Sequence, residues 1–259
     1  MSTDKRTIKS YNNYAKKWAK RMRAGKNSAH TYLEKPAMEK LLPDLEDLRI
    51  LCVGCGSGEE CEYLKNRGAA EVVGMDVAEN LLEIASDNYP EIEFIHSDIE
   101  NLDLNSARFD LVYSSLVMHY MDDWKTVLTN IYRMLKPGGQ FLFSTHHPLI
   151  NSAVLIQEQG KSARLLGVSR EEGKLKEIFG DYYTARLIED VWFEGEFEVN
   201  YYHRSLEDIM ADILASGFTI AGFYEPRATE AARAGDPDFY RAFTKIPLFM
   251  IFKLVKFNL

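Results

Sequence analysis

The chain is short of the features that mark secreted, nucleic-acid-binding or membrane-spanning proteins. Its 259 residues include three cysteines, Cys52, Cys55 and Cys61. All three fall within one ten-residue stretch, whereas a disulfide framework distributes its cysteines along the chain. Reduced thiols are therefore expected. The Cys52-x-x-Cys55 spacing also fits a redox pair or half a zinc site, but no second Cys or His pair stands at ligand spacing, so no metal is expected. No apolar run approaches the roughly 18 residues that span a bilayer. The N-terminal segment MSTDKRTIKSYNNYAKKWAKRMRAGK is basic yet lacks the uninterrupted apolar stretch of a secretory signal. A cytoplasmic location without a membrane span is the expectation, and the basic segment reads as a solvated helix face over a pocket in preference to a membrane-surface helix. Positive charge is in deficit, 31 Lys and Arg against 39 Asp and Glu for a net charge of −8. That balance opposes attraction to a polyanion, so no nucleic-acid partner is expected. Internal repeats, low-complexity tracts and Pro/Gly-rich linkers are also missing, and no clean domain boundary shows.

What is present is alternation. Short apolar runs at 49–53, 71–75, 92–95, 109–114 and 140–144 are separated by segments of helical periodicity, the pattern of a parallel sheet flanked by helices on both faces. Asp122 or Asp123 is placed to cap a helix whose Val127, Leu128, Ile131, Tyr132 and Leu135 recur at helical spacing. Lys136-Pro137-Gly138-Gly139 is expected to end that helix, with a strand following. From His146 to Arg204 the rhythm fails, leaving a loop, a short helical stretch and one hairpin across Glu194-Gly195, an insertion long enough to form a lid or substrate wall. A helix near 205–216 closed by Gly217, a strand near 218–224 and a last strand near 248–254 complete the pattern. The expected segments are an N-terminal helical lid (1–45), a core (46–147), a cap (148–204) and the end of the core sheet (205–259).

The strand at 49–53 runs straight into Gly54, Gly56 and Gly58 and then a helix. Glycine is needed where backbone turns sharply and approaches a ligand with no β-carbon between, and the helix start offers unpaired N–H groups. A second strand ends in Asp76, 18 residues beyond Gly58, where a carboxylate can accept both hydroxyl protons of a ribose; helix capping is its structural alternative. A third brings Asp98 to the same sheet edge, suited to an exocyclic adenine amine or to a turn.

The segments VGCGSG, GMDVAENLL, FIHSDIENL, FDLVYSSLVMHY and LKPGGQFLFS, in this order and spacing, resemble the successive motifs of class I S-adenosylmethionine-dependent methyltransferases. The likeness is firm from about 48 to 144 and looser after 205. It implies a doubly wound, Rossmann-like seven-stranded α/β sheet, mostly parallel with an antiparallel last strand, carrying an inserted cap. It implies S-adenosylmethionine as cofactor and S-adenosylhomocysteine as product. Gly54, Cys55 and Gly56 would line the methionyl part, Asp76 the ribose, Val77, Asp98 and Ile99 the adenine, and Ser114 the amino group. An N-terminal helix often closes over the cofactor in this family, nominating Tyr11, Tyr14 and Trp18. Small-molecule methyltransferases of bacteria are the most similar group.

Transfer from a sulfonium is an in-line displacement that needs alignment and exclusion of water. A hydroxyl or ammonium acceptor must also lose a proton, and histidine is best tuned to take it near neutral pH. His119, after the fourth strand, is the first candidate for that base or for substrate contact. His147, His146 and His203 follow it, each with a hydrogen-bonded structural role as the alternative. Aromatic residues of the insertion (Tyr182, Tyr183, Trp192, Phe193, Phe197, Tyr201 and Tyr202) suit an aromatic or apolar small-molecule substrate, although core packing also explains aromatics there. The chemistry expected is methyl transfer to O, N or C. A nicotinamide-dependent oxidoreductase shares the layout but favours G-x-G-x-x-G over the G-x-G-x-G found here. A non-catalytic methyltransferase-like subunit is the other alternative.

Overall fold

All five apolar runs form strands of one seven-stranded sheet in the computed structural model, which describes residues 3–101, 104, 106–158 and 161–257. Three N-terminal helices come first: α1 (Lys5–Arg23), a π-helical turn (His30–Glu34) and α2 (Lys35–Leu41). The alternating unit then follows as β1 (Arg49–Val53), α3 (Glu59–Asn66), β2 (Glu71–Asp76), α4 (Glu79–Asn88), β3 (Glu93–His96), β4 (Phe109–Ser114), α5 (Trp124–Met134) and β5 (Leu135–His146). The insertion holds α6 (Pro148–Ser152) and the strands β6 (Val154–Glu158), β7 (Lys161–Leu165), β8 (Gly167–Glu171), β9 (Lys174–Phe179), β10 (Arg186–Trp192) and β11 (Phe197–His203). The chain closes with α7 (Leu206–Ala215), β12 (Thr219–Tyr224), α8 (Glu230–Gly235), α9 (Pro237–Phe243) and β13 (Phe249–Val255).

The sheet order is β12-β13-β5-β4-β1-β2-β3. Strands β1 to β5 pair in parallel, and β13 runs antiparallel to both β5 and β12. Both faces are covered, which is why the strands read as unbroken apolar runs. Leu51 and Val53 pack with Val127, Leu128 and Ile131 of α5 and Ile213 of α7 on one face. Ile50 and Cys52 pack with Met38 of α2 and Leu64 of α3 on the other. Chain order reverses between β1 and β4, so the crevice of this doubly wound sheet opens at the C-terminal ends of those two strands.

Asp123 caps α5, its carboxylate accepting from Thr126 N–H, and Ser205 with Asp208 forms a capping box at α7. The Lys136-Pro137-Gly138-Gly139 segment departs from expectation. Helix α5 already ends at Met134 with Leu135 extended, because the steric demand of proline pushes the preceding residues out of the α region. The segment instead opens β5: Gly138 N–H donates to Lys256 O at 2.8 Å, and Lys256 N–H to Gly139 O at 2.9 Å.

The insertion differs more. The hairpin across Glu194-Gly195 exists as β10–β11, but two further hairpins, β6–β7 and β8–β9, occupy what read as loop. The β8–β9 turn uses Glu172 at φ +50° and Gly173 at φ +78°. Glutamate is not a usual left-handed residue, so that turn is silent in the sequence. Helix α1 lies between α4 and β11, with Tyr11, Ala15 and Trp18 against Ala78 and Leu81. Among the described residues no helix is long and apolar enough to cross a membrane.

Candidate functional site

The turn after β1 is strapped to the end of β2. Gly54 N–H and Cys55 N–H both donate to Met75 O, at 2.8 and 3.0 Å. The Asp76 carboxylate accepts from Gly56 N–H at 2.8 Å and from Ala78 N–H at 2.9 Å. Gly54 and Gly56 take φ of +69° and +53°, conformations that non-glycine residues adopt only under strain. Space distinguishes the two. A β-carbon on Gly54 would lie 2.2 Å from a Val117 methyl, whereas one on Gly56 would meet nothing within 4 Å.

That open space belongs to a cavity of about 790 Å³ running from the glycine turn to His119 and His146. Its wall includes Gly54, Cys55, Gly56, Asp76, Val77 and Ile99, with Tyr11 and Trp18 of α1 above them. Burial raises the pKa of Asp76, opposed by its bonds from Ala78 and Gly56. Two of the roughly four lone-pair sites on the carboxylate are taken by those amides, leaving acceptors for a ribose diol. Glycine cradle, acidic strand end and apolar flank together fit the nucleoside cofactor that the resemblance implies.

Other candidates lie away from this cavity. Asp98 is buried behind it and accepts from Glu100 N–H at 3.2 Å, while its neighbours Ser97 and Ile99 face in. Ser114 is buried and donates to Val53 O, and Ser115 is the residue that reaches the cavity. Tyr14 points to the insertion, donating to Glu196 and stacking on Phe193 with centroids 5.5 Å apart. His147 caps α6 through Nδ1 and pairs with Glu225 through Nε2 at 2.9 Å. His203 Nε2 lies 2.9 Å from Tyr182 O and lines only a small adjoining hollow.

His119 and His146 do meet in the cavity. Their rings stack with centroids 3.6 Å apart and planes inclined by 9°, and His146 meets Tyr201 edge-on at 4.8 Å. Burial, then the neighbouring His146, holds the His119 pKa well below the ordinary histidine range. Burial pushes His146 down to about 4 against the field of Asp190. Both rings are therefore neutral at pH 7. His119 Nδ1 and His203 Nδ1 are both buried with no hydrogen-bond partner among the described residues, a costly arrangement for a polar atom. Around the pair, Tyr11 and Tyr120 share a 2.8 Å hydroxyl contact, and Asp190 accepts from Tyr201 and Trp192.

A second group escaped the sequence reading. Glu34 is fully buried, and its Oε1 accepts from Ser115 Oγ at 2.9 Å and Ser144 Oγ at 2.5 Å. Ser144 Oγ in turn accepts from Leu116 N–H at 2.9 Å, and Leu116 sits at φ +55°. His30 Nε2 stands 3.0 Å from Glu60 and 3.7 Å from Glu34. Burial opposes charge on His30, but the Glu60 bond and the fields of both carboxylates outweigh it and raise its pKa. Burial raises that of Glu34. His30, Lys35, Glu60 and Ser115 line the cavity beside the glycine turn. The one available signal was the spacing His30-x-x-x-Glu34, which puts both on one helical face; their partners come from distant elements.

Residues 51–143 match the model of a family described as a methyltransferase domain. An uncharacterized protein of Haemophilus influenzae is 30% identical over 220 residues, 80% of this chain and 81% of that protein. The malonyl-[acyl-carrier protein] O-methyltransferase of Enterobacter lignolyticus is 34% identical over 119 residues, 45% of this chain and 47% of the relative, so the match spans about half of that relative's length. The crystal structure of an S-adenosylmethionine-dependent methyltransferase from Mesorhizobium loti superposes with a TM-score of 0.69 at 26% identity, covering 89% of this chain and 99% of that one.

Two outcomes test the geometry. Gly56→Ala should fold with a loss of about 1–2 kcal/mol from its left-handed backbone while weakening S-adenosylhomocysteine binding more than about tenfold, about 1.4 kcal/mol; calorimetric titration showing wild-type affinity would refute the cradle. Glu34→Ala should lower unfolding stability by about 3 kcal/mol by removing the shared acceptor of two hydroxyls, and Glu34→Gln by less, as read from urea denaturation.

Proposed function

Because this chain belongs to the class I S-adenosylmethionine-dependent methyltransferases and uses S-adenosylmethionine as its methyl donor, we propose that it methylates a small molecule with an apolar or planar body, His119 taking the acceptor's proton. The nicotinamide-dependent and non-catalytic alternatives give way to the family assignment. One observation carries the proposal: a neutral His119, stacked on His146, lines the same cavity as the glycine turn.

In this reading Gly54, Cys55 and Gly56 hold the methionyl group, Asp76 the ribose, and Val77 and Ile99 flank the adenine. His30, Lys35 and Glu60 offer both signs of charge near the methionyl seat, which suits a zwitterionic amino-acid group. The bound cofactor supplies an electrophilic methyl group on a sulfonium. The chain's own contribution is alignment, exclusion of water and a place for the proton. Helix α1 serves as the lid through Tyr11 and Trp18, and the hairpin β10–β11 as the acceptor wall through Trp192 and Phe193 of its turn.

The electrostatics bear on the acceptor. Its chamber presents two neutral imidazoles, tyrosine hydroxyls and tryptophan faces, and Asp190 lies close enough to act on His146. A carboxylate acceptor, such as the malonyl group in the name of the Enterobacter relative, would meet that negative field unpaired. A neutral hydroxyl or amine meets a base already unprotonated.

Incubation of the protein and methyl-labelled cofactor with metabolite fractions, followed by mass spectrometry, tests this directly. Label should appear on a small apolar acceptor and not on a malonyl thioester; the reverse would overturn the acceptor class. His119→Gln should retain cofactor affinity and lose at least about tenfold in kcat, about 1.4 kcal/mol in the barrier, and unchanged turnover would remove His119 from the chemistry. The depressed pKa of His119 also fixes a pH dependence. Because the proton acceptor must be neutral, activity should persist below pH 6.5, the ordinary histidine value, and an acid limb centred at or above that value would contradict the burial argument.

A further inference from the structure

The hairpins β6–β7 and β8–β9 are largely exposed and pack little against the rest of the chain. Every residue from 162 to 178 except Ser169 is exposed, and the main contacts of each hairpin are those between its own two strands. An isolated two-stranded hairpin is at best marginally stable in water; independent stability needs a third strand or a packed face. Both hairpins also leave strand edges with unused backbone donors and acceptors, the template for pairing with another chain.

Their side chains are not those of a solvated loop. Val154, Leu155 and Leu165 stand out from the first hairpin, and Val168, Leu175 and Ile178 from the second, the last three at 55%, 54% and 65% exposure. Val168 and Ile178 are cross-strand partners and so project from the same face, as are Val154 and Leu165. The two same-face pairs, Val168 with Ile178 and Val154 with Leu165, present on the order of 300 Å² of apolar surface, and pairing along the open strand edges would supply the rest of the ~800 Å² that each partner gives to a standard interface.

We propose that these hairpins are a homodimer interface, covered in solution by the same hairpins of a second copy of this chain related by a two-fold axis. Charge favours that occupant. Arg170, Lys174 and Lys176 are balanced by Glu171, Glu172 and Glu177 in the second hairpin, so two copies do not repel there despite the chain's net charge of −8. A strip bearing both signs complements its own two-fold image, whereas it matches neither a strongly acidic nor a strongly basic partner. Those charges lie between the apolar positions, which opposes burial in lipid. Two-fold isologous contact is the commonest closed arrangement for such a self-complementary patch. The interface would brace the insertion whose next hairpin forms the acceptor wall, and it does not depend on which acceptor is used.

Light scattering on the full chain should give twice the mass of one chain, and Val168→Glu/Ile178→Glu should give one chain mass while keeping S-adenosylhomocysteine affinity within about twofold of wild type. A single-chain mass for the wild type, or an undiminished dimer in the double variant, overturns the proposal. If the double variant does not fold, amide exchange of the wild type decides. Protection of residues 167–179 should rise over an about hundredfold increase in protein concentration, and concentration-independent exchange counts against a dimer.

Discussion

One carboxylate ties together the two chain crossings from which the site is built. Asp76 ends β2, and its two oxygens accept from Gly56 in the turn after β1 and from Ala78 ahead of α4. Fixing glycine backbone forfeits more conformational entropy than fixing any other residue, and Gly54, Gly56 and Gly58 all hold left-handed φ here. The Asp76 bond and the two amides donated to Met75 O offset part of that loss. The same carboxylate that shapes the turn is thus preorganised as an acceptor at the cavity wall; it does not cap α4, whose N-cap is Ala78 with no side-chain cap.

The turn after β4 depends on a second buried acid. Leu116 at φ +55° is a non-glycine residue in a strained region, worth about 1–3 kcal/mol against it. Its N–H is held by Ser144, which with Ser115 rests on Glu34. Next in sequence, Val117 fills the place where Gly54 has no β-carbon, and His119 follows one short turn later. Strain held at this point fixes the relation between the glycine turn and the histidine pair. The π-helical turn that presents Glu34 is an irregularity of the kind that gathers at functional sites.

Legibility in the sequence follows how local each signal is. Strands buried on both faces announce themselves as apolar runs, and Gly54 and Gly56 after β1 lie beside Asp76 at the end of the adjoining β2, so the sheet and this wall of the cavity could be read directly. The Glu34 network joins residues 34, 115 and 144, a relation that appears only once helix α2 packs beside β5. The histidines illustrate the same limit. All four candidates sit near the C-terminal edge of the sheet, but His147 and His203 are occupied by helix capping, Glu225 and a backbone carbonyl, and chain position does not reveal such partners. The β6–β9 part of the insertion was least legible because its strands bury little, so periodicity carries scant information, and the β8–β9 turn uses Glu172, whose side chain gives no warning of a left-handed backbone.

A neutral, stacked histidine pair also constrains how the two ends of the cavity divide their work. Charges of both signs cluster beside the glycine turn, where His30, Lys35 and Glu60 line the wall, while the His119 end is held neutral by burial and aromatic rings. A sulfonium lying between them would face low polarity on the acceptor side, where burial leaves electrostatic attraction less screened. In the proposed reaction, a displacement that moves positive charge from sulfonium to acceptor would find a neutral imidazole beside it. This polarity gradient arises from packing, since the insertion supplies Tyr201 and Trp192 while the core supplies both imidazoles. Loss of the β10–β11 wall would therefore admit water to the histidines and raise their pKa values, even though every residue of the cofactor seat remained where it is.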